Sequence, residues 1–86
     1  MITREDVVEK ISKYLRRQLS LEALVDWSVE AMQEAEFEPE HYEVIRDVVT
    51  RLGVADVRAF GLTWEECEKL LGELGYRTSI EVTRVE

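Results

Sequence analysis

The chain has 86 residues, 19 acidic against 11 basic, for a formal charge of −8; that length holds one domain with one modest core, and that field repels nucleic-acid phosphates and anionic membranes. A single cysteine, Cys67, excludes an intramolecular disulfide, and no CxxC or His-rich tract marks a structural metal, which leaves self-association as the remaining reinforcement for so small a core. The acidic start MITREDVVEK lacks the basic and apolar regions of a signal peptide, and no apolar run approaches the ~20 residues of a membrane span, so the expected location is the cytoplasm.

In chain order, Thr3 and Asp6 form a capping arrangement, and Val7, Val8, Ile11, Leu15 and Leu19 recur at helical spacing. A first helix is expected over about 4–18, its far side carrying Lys10, Lys13, Arg16 and Arg17 near the C-terminal end that favours cations. Ser20 suits the N-cap of a second helix over about 20–36, with Leu21, Leu24, Val25, Ser28, Met32 and Ala35 as its buried stripe. Pro39 opens a third helix, about 39–52, with Glu40 and Glu43 in its first turn. Tyr42, Ile45, Val48, Val49 and Leu52 point inward, and Gly53 is expected as a left-handed cap. Residues 54–62 show no period and read as a connector. Thr63 and Glu66 form a capping box for a fourth helix, about 64–74, which buries Trp64, Cys67, Leu70, Leu71 and Leu74 and closes at Gly75.

The tail changes character. Tyr76, Thr78, Ile80 and Val82 alternate with polar residues over about 76–85, a strand pattern. A lone strand needs a partner edge, and the expectation ranked first is an antiparallel ribbon with the same tail of a second subunit, ahead of pairing with residues 54–60 or with another protein. The fold expected is therefore mainly α: a small four-helix array with a C-terminal β-strand paired across a homodimer.

The charge is concentrated. Residues 18–45 contain eight acids and no Lys or Arg, whereas the rest of the chain balances eleven against eleven. Glu40 and Glu43 suit a helix N-terminus, and Glu36 and Glu38 belong to a connection. Glu22, Asp26, Glu30 and Glu34 remain, spaced by four along the second helix, where each like-charge pair is mildly unfavourable and no local rule requires them. Trp27 lies beside them, off the centre of the stripe, where an aromatic bordered by acids can anchor a basic partner. These five residues are the candidate partner-binding set.

Catalytic inventories come up short. His41 is the sole imidazole, Cys67 is the sole thiol and reads as structural, and no glycine-rich loop precedes a helix. Glu38-Pro39-Glu40-His41 contains one Glu-x-x-His, but the di-iron bundles that use this motif need two, so no metal, cofactor or catalytic residue is expected. The absence of Asn, and eight Arg against three Lys, lean towards a thermophile composition.

The stretches LSLEALVDW (19–27) and FGLTWEEC (60–67) resemble segments of a group of small, largely uncharacterised bacterial proteins of about this length. That likeness implies a compact bacterial domain and brings no site residues. In charge and size the chain is also similar in kind to immunity proteins and antitoxins, which block a basic toxin by presenting carboxylates to its active site. The function expected is a non-enzymatic, acidic interaction module for a basic protein, with a structural or regulatory homodimer as the alternative.

Overall fold

A computed structural model describes residues 1–56 and 61–77, which form four helices: α1 (Arg4–Leu15), α2 (Leu21–Glu34), α3 (Tyr42–Gly53) and α4 (Trp64–Glu73). The N-caps are those the sequence indicates. Thr3 and Asp6 close a reciprocal capping box, the Thr3 N–H donating to Asp6 at 2.9 Å and the Asp6 N–H to Thr3 Oγ1 at 3.2 Å. Ser20 Oγ accepts from Ala23 N–H, and Thr63 Oγ1 from Glu66 N–H, both at 3.1 Å. Only half of the predicted Thr63 box forms, because the Glu66 carboxylate lies 2.9 Å from Arg51 Nη2 instead and ties α4 to α3.

Helix ends depart from expectation where the backbone turns without a glycine to announce it. α1 stops at Leu15, short of 18: Arg17 adopts φ +62°, and Gln18 N–H donates to Lys13 O at 2.8 Å, a Schellman closure built on a non-glycine residue. Gly53 is not a left-handed cap. It is the last residue of α3, and a Cβ there would sit at ordinary contact, 3.7 Å from both Met32 and Val29. Pro39–His41 form a 3₁₀ turn ahead of α3, as the ring's fixed φ allows.

Gly75 does take φ +91°, and its N–H and that of Tyr76 donate to Gly72 and Leu71 carbonyls at 3.0 and 2.9 Å. Tyr76 is thus part of the α4 cap and does not open a strand. Thr78, Ile80 and Val82, the other residues of the expected dimer strand, lie outside the described residues. One pairing that the sequence did not announce joins the N-terminus to the α2–α3 connection. Ile2 N–H donates to Glu36 O at 2.7 Å and Glu38 N–H to Ile2 O at 2.9 Å, a parallel bridge centred on Ile2 and Phe37.

The core gathers Val7 and Ile11 of α1, Leu24 and Ala31 of α2, Ile45, Val48, Val49 and Leu52 of α3, Cys67, Leu70 and Leu71 of α4, and Leu74 at the α4 C-cap. Buried Ser28 satisfies its hydroxyl on Leu24 O at 2.9 Å, as a hydroxyl in a helix interior must. Three residues assigned inward lie at the surface: Met32 is 48% exposed, Tyr42 47% and Trp64 38%. On α2 the buried residues are Leu24, Val25, Ser28 and Ala31; Met32 shares their side of the helix but stands near its C-terminal end beside Gly53, where no α3 side chain covers it. Tyr42 packs its ring on Phe37 at 5.9 Å and under Arg46 at 5.7 Å, outside the core. Trp64, in the first turn of α4, lines an open groove with Val8, Leu15 and Leu71.

Candidate interaction surface

Helix α2 is continuous from Leu21 to Glu34, so Glu22, Asp26, Glu30 and Glu34 stand one turn apart, each advancing about 40° around the axis. All four are exposed. Among the described residues the ion pairs are Lys13–Glu9, His41–Glu38, Arg46–Asp47 and Arg51–Glu66; none involves the ridge.

Trp27 is half-buried against the core. Around it the structure gathers Glu30, Ala31, Glu34, Ala35 and Ile2 into a groove of about 260 Å³. Lys10 Nζ lies 5.6 Å from the Trp27 ring centroid, so this ring already holds one cation of its own chain by the attraction of its π face. Of the five residues singled out by charge and spacing, Trp27, Glu30 and Glu34 therefore meet at one groove, while Glu22 and Asp26 continue the ridge towards the start of α2. Ile2 could not be found from local patterns, since a backbone pairing across more than thirty positions brings it there.

The other chemistry-bearing side chains behave differently. Glu38, Glu40 and His41 bring one ligand atom each within 4.8 Å of one another, with His41 Nε2 3.6 Å from Glu38 Oε1. The set could hold a divalent cation at the surface, but it borders the start of α3, whose dipole opposes positive charge. Cys67 is fully buried and unpaired. Burial, assisted by the neighbouring Glu66 and opposed by Arg51, pushes its thiol from 9.0 up to about 11, the reverse of an activated nucleophile.

That shift predicts a pH dependence. The unfolded thiol ionises near 9.0 while the folded one keeps its proton to about 11, so the contribution of Cys67 is complete below pH 9 and is lost as pH rises through 11. Urea unfolding from pH 8 to 11 should show a steeper loss of stability in the wild type than in Cys67→Ala; parallel curves would contradict this.

Among the described residues, no helix is long and apolar enough to cross a membrane. No family model, curated protein or solved structure matches the chain.

Proposed function

We propose that this domain is a non-enzymatic binding module that captures a basic protein on the outer face of α2, in the manner of immunity proteins and antitoxins. The observation that carries the reading is the α2 ridge: four exposed carboxylates without an ion pair among the described residues, running into a groove beside an indole. Solvated faces of helices commonly interleave Lys with Glu because each opposite-charge pair stabilises the helix. Here α2 forgoes that and keeps its field directed outward.

Such a field acts chiefly on encounter. It concentrates a cationic partner near the face and raises the association rate, while Trp27 and the apolar walls of its groove supply contact once the partner has docked.

The test is a calorimetric titration with a Lys-rich peptide across a salt series. Affinity should fall steeply with ionic strength, as exposed charges separated by more than about 8–10 Å become screened. An affinity that does not change with salt would refute the reading.

A further inference from the structure

A second groove lies on the opposite flank of the ridge, where α2 meets α3. It is bounded by Val29, Met32 and Gln33 of α2 and by Thr50, Gly53 and Val54 at the end of α3, and encloses about 260 Å³. Val29, Met32 and Val54 are 40%, 48% and 37% exposed, three of the seven large apolar side chains at the surface among the described residues. They converge on one spot, which single scattered apolar residues do not. Gly53 keeps the floor open, since no side chain rises from it between Val29 and Met32. Met32 provides an unbranched, adaptable wall.

The charge around this groove decides what it fits. Asp26 and Glu22, three and seven residues before Val29, lie on the same side of α2. Of the cations on α3, Arg46 is engaged by Asp47 at 3.1 Å and by the Tyr42 ring, and Arg51 by Glu66 at 2.9 Å. A second copy of the chain would bring two acidic ridges together, and residues 78–86 carry Glu81 and Glu86 against Arg84 alone. Neither has a net positive charge, and the clustered cations of a second copy, Lys10, Lys13, Arg16 and Arg17, lie along α1 and its C-terminal end, whose Val7 and Ile11 are buried in that copy's own core and offer no apolar anchor beside them.

We propose that this groove receives one apolar side chain from a cationic amphipathic helix, whose Lys and Arg residues then lie along Glu22 and Asp26. The inference rests on the reading of α2 as a face for a basic protein and specifies the shape of that partner: a helix laid along α2, with an apolar anchor one turn from its basic residues.

Two peptides of identical composition test it, a helical one of Leu and Lys with its leucines on one face, and its scrambled isomer. The wild type should bind the ordered peptide roughly tenfold more tightly, the scale of one apolar side chain gaining or losing its site. Gly53→Leu, which fills the groove from within, should abolish that preference. Met32→Gln, at an exposed position where folding is not at stake, should do the same, and neither should alter binding of the scrambled isomer. Equal affinities for the two peptides, or a preference that survives both substitutions, overturns the docking site. So does a wild-type dimer in sedimentation that Met32→Gln dissociates, which would give the groove to a second copy. Salt-sensitive binding that persists without the preference overturns this inference alone, whereas salt-insensitive binding of both peptides overturns the reading beneath it.

Discussion

Ile45→Ala is expected to destabilise the domain by about 3 kcal/mol and lower its melting temperature by roughly 15 °C, the scale seen when a buried β-branched side chain leaves a cavity in a small protein. Ile45 is fully buried in α3, the helix that shares its most extensive contact with α2. No disulfide supports the described core, whose single cysteine is free, and a domain of this size has only about 5–10 kcal/mol in hand. Met32→Ala provides the comparison: with that side chain 48% exposed, its loss should cost less than about 1 kcal/mol. Thermal unfolding of the two variants followed by circular dichroism measures both, and equal losses would contradict the assignment of the core.

Reversing two charges, Glu30→Lys with Glu34→Lys, is expected to weaken capture of a basic partner by roughly 100-fold at low salt, mainly through slower association. The same pair should stabilise the free protein slightly. Glu30 and Glu34 are followed in α2 by no cation, and the last turn of that helix contains no basic residue. A Lys at either position complements the C-terminal dipole, and Asp26 gains an opposite charge one turn on, worth a few tenths of a kcal/mol each. Loss of binding with a small gain in stability is the signature of charges kept for a partner at the expense of the helix. Surface-plasmon rates alongside urea unfolding would record the two effects, and a variant that binds as well as the wild type would exclude these residues from the interface.

The helices and most of the core could be read from the sequence because both are set by local spacing. Val7 and Ile11, Ile45 through Leu52, and Cys67 through Leu74 fall at the helical period and are buried together. Caps at Thr3, Ser20 and Thr63 were equally legible, since a side-chain oxygen and an N–H three residues away suffice. Met32, Tyr42 and Trp64 were assigned inward because periodicity ranks residues by angle around one helix, whereas exposure depends on which neighbouring helix covers that angle. Arg17 in the left-handed region and the Ile2–Phe37 bridge carry no local signature. The acidic ridge was legible in full. What it gathers was not, because Ile2 reaches the Trp27 groove and Gly53 and Val54 reach the Met32 groove only through tertiary packing.

Helix α4 offers an internal control for the central claim, since it too is acidic, with Glu65, Glu66, Glu68 and Glu73 against one Lys69. A titration of the isotope-labelled domain with a Lys-rich peptide, followed by two-dimensional amide spectra, separates a built surface from general attraction to negative charge. The account predicts shifts confined to α2, the Trp27 indole, Ile2 beside it and the adjoining residues of α3. Comparable shifts along α4 would contradict it.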